Sequence, residues 1–347
     1  MTMKHLSPIL SLCFVALVAC KGNNPSATAS SNNTNELEGR PRIEQPIRSG
    51  ANALHLEPQG PAKRNFAEDF PQLFDWEWGF EIGGFGGKQS NLSPDHIPVI
   101  FVHGNTTDHA DWYVVRDDFR NAGWSDQSLY GLSYNGLGTN TGNSSTRAQT
   151  ERETEHAEMG WDNRSRSTNN DLNVEDLLDF ILAVQQYTGQ KCFSLVGHSL
   201  GVTVARKTLA SYPELRPYLT AFVSIAGANH GTSLCPPGSN DAVVSCDEIA
   251  KSTPWLAELN GENGTNETYP PAKWLAVYDG SGVGDAAFYG PDYAQSPRLE
   301  GAENVAFART DHNGLRVRED IVDHYLSFIE SAEQQLGGIA NDRCAEI

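Results

Sequence analysis

An α/β fold, with a mostly parallel central sheet flanked by helices and extended loops over one end of it, is what the sequence predicts. Three observations predict it. Ile97-Pro98-Val99-Ile100-Phe101-Val102 is a continuous apolar run, the pattern of a strand buried on both faces. Strand-like and helix-like segments then alternate along the chain, as parallel strands joined by crossover helices require. Finally, the apolar segment Cys192–Val196 leads through a glycine-flanked turn directly into a helical pattern.

Each element follows from local pattern. Tyr113 to Ala122 reads as a helix closed by Gly123, and Ser128 to Tyr134 as a second strand. Asn173 to Tyr187 carries the clearest helical signal: Asn173 can cap it, and Val174, Leu177, Leu178, Ile181 and Leu182 form an apolar stripe. A helix is expected over Ser199–Ser211, then strands over Leu219–Ile225, Trp274–Tyr278 and Asn304–Ala308. A final amphipathic helix, Arg316–Leu336, presents Ile321, Tyr325, Phe328 and Ile329 on one side. At least six strands result. The stretches Asn135–Leu172 and Gly227–Tyr269 break this rhythm; long polar segments at such places are candidates for shaping a binding surface. Phe74, Trp76, Trp78 and Phe80 alternate at strand period and are expected to cover a sheet edge or the core rather than to bind polymer.

The ends and the composition bound the rest. Lys4, the apolar run Leu6–Ala19 and the closing Leu17-Val18-Ala19-Cys20 have signal-peptide layout and are too short to span a membrane comfortably. A small residue followed by cysteine resembles the bacterial lipobox, which implies that Cys20 is lipidated and becomes the mature N-terminus. Lys21 at the next position, in place of Asp, leans towards the outer membrane. Residues 21–50 are rich in Ser, Asn and Thr, bury too little to offset their ordering entropy, and read as a flexible tether. Residues 51–347 then form one domain. The formal charge of −19 argues against a nucleic-acid partner, because phosphate binding needs a basic surface. Of the six cysteines, Cys192, Cys235, Cys246 and Cys344 lie beyond the leader. Cys235 and Cys246 bracket a short turn-rich loop and are the expected disulfide; Cys192 is expected to be buried, and its pairing and that of Cys344 stay open.

The chemistry centres on Gly197-His198-Ser199-Leu200-Gly201, between an apolar strand and a helix. The glycines permit a tight strand-to-helix turn that projects a serine hydroxyl above the sheet, the nucleophile elbow of α/β-hydrolases. The helix N-terminus behind Ser199 favours developing negative charge. Val102-His103-Gly104-Asn105 follows the first buried strand, where this fold places one oxyanion donor; the backbone N–H groups of Asn105 and Leu200 are the expected pair. His103 precedes the nucleophile and reads as a loop-structuring residue.

The base must follow the acid, and the acid the nucleophile, in this fold. Three of the ten histidines follow Ser199. His230 comes too early, His324 lies mid-helix, and His312 follows the last strand, so His312 is the expected base. The segment after strand Trp274–Tyr278 offers Asp279 and Asp285 as acid. Asp285 is preferred because it lies out on the loop, whereas Asp279 sits at the strand end as a turn residue. Glu151–Glu158 with His156 reads as a solvated charge cluster. With no zinc spacing and no Gly-rich phosphate loop, neither metal nor cofactor is expected.

These segments together resemble the class 2 lipases of bacteria and the related extracellular polyhydroxyalkanoate depolymerases. The resemblance is carried by Pro98–Asn105, Gly123-Trp124-Ser125 with Leu129-Tyr130, Gly189–Gly201, Ala226-Gly227-Ala228-Asn229-His230-Gly231-Thr232, and Ser296-Pro297-Arg298-Leu299 through Leu315. It covers most of residues 95–330 and implies Ser199 as nucleophile, Asp285 as acid, His312 as base, and Asn105 with Leu200 as oxyanion donors. Residues 135–172 are longer than in the smallest, lidless lipases. The expected activity is cleavage of a lipid or other carboxylic ester, small or polymeric, by an exported protein held to a membrane by its lipid anchor or secreted. Alternatives are a polyhydroxyalkanoate depolymerase, an acyltransferase, and a catalytically silent surface binding protein.

Overall fold

The computed structural model describes residues 74–75, 80–81, 83–85, 94–105, 107, 109–132, 170–235, 248–261 and 264–337. All belong to the unit Pro41–Ile347; the other unit, Met1–Arg40, lies outside the described residues. Also outside them fall Cys20, the tether, Trp76, Trp78, residues 135–169 with His156, Cys246 and Cys344.

Apolar runs become strands where both faces can be covered. β4 (Val99–Val102), β5 (Leu129–Leu132), β6 (Phe193–His198), β7 (Leu219–Ile225), β8 (Lys273–Tyr278) and β9 (Glu303–Ala306) form the parallel body of a seven-stranded sheet. The order across it is β3-β5-β4-β6-β7-β8-β9, with β3 (Gly83–Phe85) antiparallel at the edge beside β5. The central strands β4, β6 and β7 are buried along their whole length. Full burial explains why they read as uninterrupted apolar runs rather than as alternating patterns. The edge strand β3 carries only Gly83-Gly84-Phe85 and so gave no strand signal. The aromatic stretch before it is not one strand: β1 (Phe74–Asp75) turns back to pair with β2 (Phe80–Glu81) in a separate two-stranded ribbon.

Helices cover the faces: α1 (Tyr113–Asn121), α2 (Asn170–Thr188), α3 (Leu200–Ser211), α4 (Pro254–Asn260), α5 (Pro291–Ala294), α6 (Gly314–Val317) and α7 (Glu319–Gln335). Three expectations need correction. α2 begins at Asn170, so Asn173 lies inside it rather than capping it. The stripe read from the sequence starts at Val174, and in the first turn, Asn170-Asp171-Leu172-Asn173, a single leucine leaves no periodic signal. The single last helix is two, because Arg318 is extended (φ −70°, ψ 125°) and its guanidinium turns to Asp320 and Thr310. And the irregular stretch Gly227–Tyr269 holds a helix, α4, whose N-cap Thr253 accepts from the Leu256 N–H. Of the four residues named for the buried face of the last helix, Ile321, Tyr325 and Ile329 are at most 1% exposed, and Phe328 is half-buried against the core.

Cys192 and Cys235 are both disulfide-bonded. Cys192 precedes β6 at the amino ends of the strands, beside Tyr218 and Leu336. Cys235 lies past the carboxyl ends, in a segment whose Thr232 and Ser233 bond the Ala287 carbonyl. A strand of six residues spans about 20 Å, far beyond the ~7 Å limit for bridged Cα atoms. The two therefore do not bond each other.

Candidate active site

The loops at the carboxyl ends of β4, β6, β8 and β9 meet at one place. Ser199 sits in the turn between β6 and α3 with φ 55° and ψ −126°, a region that costs a non-glycine residue of order 1–3 kcal/mol. Its N–H donates to Ile225 O on β7 at 2.9 Å, which ties the turn to the sheet. The close approach behind it requires glycine at position 201. A Cβ there would lie 2.4 Å from both Val102 O and His103 O. Gly104 is more loosely constrained, since a Cβ would meet the Ser199 Cβ at 3.0 Å. The Gly104–Asn105 loop after β4 thus packs directly on the Ser199 turn. Leu200, as the first residue of α3, has an N–H with no intrahelical acceptor.

His312 and Asp285 are brought together. His312 Nδ1 donates to both carboxylate oxygens of Asp285, at 3.0 and 2.9 Å. That fixes the tautomer and leaves the Nε2 lone pair as the basic site. Asp285 is 1% exposed and also accepts from the Ala287 N–H at 2.8 Å. The Asp285 loop packs against the His312 loop so tightly that a Cβ on Gly284 would lie 2.6 Å from Thr310 N. Asp279 faces elsewhere. Its carboxylate accepts from Ser281 Oγ at 2.8 and 2.7 Å and from the N–H groups of Gly284 and Asp285. Burial raises its pKa, but these bonds outweigh it and hold the carboxyl down to about 2. Asp279 shapes the loop on which Asp285 stands.

The remaining histidines have other partners. His103 is fully buried with Nδ1 2.7 Å from Gly104 O; burial holds its pKa down to about 3, so it structures the loop as a neutral ring. His230 bonds Ser296 O and Glu267 through its two ring nitrogens. His324 lies on α7 with its ring centroid 6.0 Å from that of Phe307.

Two arginines support the site and carried no signal in the sequence. Arg206, on α3, is wholly buried and donates to Asn229 Oδ1, Asn260 Oδ1 and Glu267 O. It ties the helix behind Ser199 to the Asn229–His230 loop, and burial lowers its pKa to about 10. Arg316, on α6, donates to the Asp111 carbonyl and lies over the Trp112 ring, joining the base loop to the segment that follows Asn105. Its place after His312 marks no pattern that periodicity could detect.

A parallel sheet with this strand order, a strained serine in a strand–turn–helix and an aspartate-held histidine after the last strand define an α/β-hydrolase. The sequence model of the lipase (class 2) family matches residues 96–272, just over half of the chain. The chain belongs to the class 2 lipase family and is a carboxylic ester hydrolase. Among solved structures it is similar to the Bacillus licheniformis lipase BlEst2 in propeptide form, with 14% identity and a TM-score of 0.50 over 71% of this chain and 52% of that one. The mature form of the same lipase gives 15% identity and 0.47, over 71% of this chain and 97% of that one. Aspergillus fumigatus lipase B gives 17% and 0.45, over 79% and 60%. At 14% identity the likeness to the propeptide form is one of fold alone. No curated protein sequence matches the chain.

Proposed function

We propose that the protein cleaves carboxylic esters through an acyl-enzyme on Ser199, with His312 as general base, Asp285 as its orienting acid, and the N–H groups of Asn105 and Leu200 as the oxyanion hole. The observation that carries this reading is the Asp285–His312 pair at the end of the sheet where the Ser199 turn projects. His312 Nε2 accepts the Ser199 proton as Oγ attacks the ester carbonyl. Asp285 stabilises the imidazolium without taking its proton. The tetrahedral oxyanion accepts from the two N–H groups, each donor contributing about 2.7–4 kcal/mol. Collapse expels the alcohol, protonated by His312; His312 then takes a proton from water as the water attacks the acyl-enzyme, and returns it to Ser199 Oγ as the acid leaves.

A fluorophosphonate probe, with a p-nitrophenyl ester series from acetate to palmitate, tests this on protein lacking residues 1–20. The expected result is one label per chain at Ser199, none in Ser199→Ala, and a chain-length optimum for hydrolysis. Labelling elsewhere, or an unlabelled and inactive parent chain, would sink it. Turnover of polyhydroxyalkanoate film with none of the soluble esters would replace a lipase by a depolymerase. The lipobox-like Leu17–Cys20 supports membrane attachment at Cys20. Labelled palmitate should be incorporated by the full chain in a bacterial host and not by Cys20→Ser; equal incorporation would overturn the anchor.

A further inference from the structure

His198 precedes the nucleophile and ends β6. Its side chain is buried, and Nε2 lies 3.0 Å from the backbone carbonyl oxygen of His312. A carbonyl only accepts, so His198 Nε2 carries the proton and donates it. The two imidazole rings lie 4.7 Å apart between centroids at 45°. On the other side, Nδ1 faces Gly104, 3.4 Å from where a Cβ on that residue would stand. His198 is therefore wedged between the Gly104–Asn105 loop and the base.

The groups that act on His198 are His312, Arg316 and His103, and no carboxylate among the described residues bonds it. Burial first, then these neighbours, keep its pKa well below the ordinary histidine value. It stays a neutral donor when His312 becomes imidazolium, and it does not compete for the serine proton.

His312 then has two anchors of different kinds. Asp285 holds the side chain through Nδ1, and His198 holds the main chain through the carbonyl oxygen. With the first alone, the imidazole could pivot about the Asp285 contact. The second fixes the root of the side chain relative to β6, whose next residue is Ser199. We propose that His198 is a positioning residue for the general base, tying the His312 main chain to the strand that carries the nucleophile. The proposal rests on the reading of Ser199 and His312 given above. It explains what an imidazole does here that a lysine or arginine would not: it donates from a planar ring without bringing charge.

Gln and Asn separate this role from packing, since the Gln amide nitrogen reaches the place of His Nε2 and the Asn amide nitrogen only that of Nδ1. Steady-state hydrolysis of a p-nitrophenyl ester is measured for the parent chain, His198→Gln, His198→Asn and Ser199→Ala, with thermal melting of each. His198→Asn is expected to lose about 10–100-fold in kcat, the scale of an ångström-level misplacement, with KM within about twofold. His198→Gln is expected to keep kcat within about threefold of the parent at a similar melting temperature. Parent-like kcat in His198→Asn, or equal losses in both variants, would overturn the proposal. If Ser199→Ala is inactive and the His198 variants behave so, only the positioning role fails. Full activity in Ser199→Ala would instead remove the serine reading beneath it.

Discussion

Asp285→Asn should lower kcat by roughly 10⁴-fold, the cost of the equivalent change in a serine–histidine–aspartate site. The reason is local. Asp285 receives His312 Nδ1 on both oxygens and is 1% exposed, so its charge is the counter-ion available to the imidazolium. An amide there supplies no charge, and its NH₂ group can press the ring into the wrong tautomer. Asp279→Asn should act on stability instead. Its oxygens accept from Ser281, Gly284 and Asp285, bonds to a charged group that contribute about 1.5–3 kcal/mol each before compensation. The carboxyl is held at about 2 against a usual 3.8, so its contribution is full above pH 4 and is lost as pH falls through about 2. Parallel kcat and melting measurements decide between them. A kcat loss in Asp279→Asn as large as that in Asp285→Asn would take the acid role from Asp285.

The second large effect is acid sensitivity. His103 is buried neutral with its pKa at about 3, and His198 is held well below 6.5. In the unfolded chain both titrate near 6.5 and take up protons that the folded state refuses. Stability is then flat above that value and falls as pH drops below it, by about 1.4 kcal/mol per unit for His103, with His198 acting in the same direction. At pH 5 His103 alone removes roughly 2 kcal/mol, a noticeable share of the 5–15 kcal/mol typical of a folded domain, and His198 adds to the loss. His96 acts in the opposite sense. Its bond to Glu333 raises its pKa, so its contribution grows as pH falls and is lost as pH rises through the folded value. Denaturant unfolding from pH 8 to 5 should show the two buried rings prevailing; a stability unchanged between pH 7 and 5 would refute this.

What could be read beforehand was whatever depends on neighbours in sequence. Val99–Val102 and Leu219–Ile225 announce themselves because full burial demands continuous apolar residues. Ser199 is legible because glycines at 197 and 201 are required by the turn itself, and His312 because chain order in this fold leaves few candidates. The parts that escaped depend on distant partners. Arg206 looks like any helical arginine until Asn229, Asn260 and Glu267 converge on it. His198 is only the variable position of a motif until the His312 carbonyl arrives 114 residues later in the chain. The break at Arg318 is set by Thr310, and the edge strand β3 by its pairing with β5, neither of which leaves a periodic trace.

The strand order has a consequence for how such a protein changes over time. Gly104–Asn105, Ser199, Asp285 and His312 hang from β4, β6, β8 and β9, whose registers are locked to one another through β7. A slip by one residue would turn every side chain of a strand to the other face, so the hydrogen-bonded ladder works as a ruler for the reacting groups. The stretches between strands that carry none of these groups are under no such constraint. They are free to lengthen, shorten or change composition, and with them the acyl chain admitted, while the distances on which bond cleavage depends stay where the sheet put them.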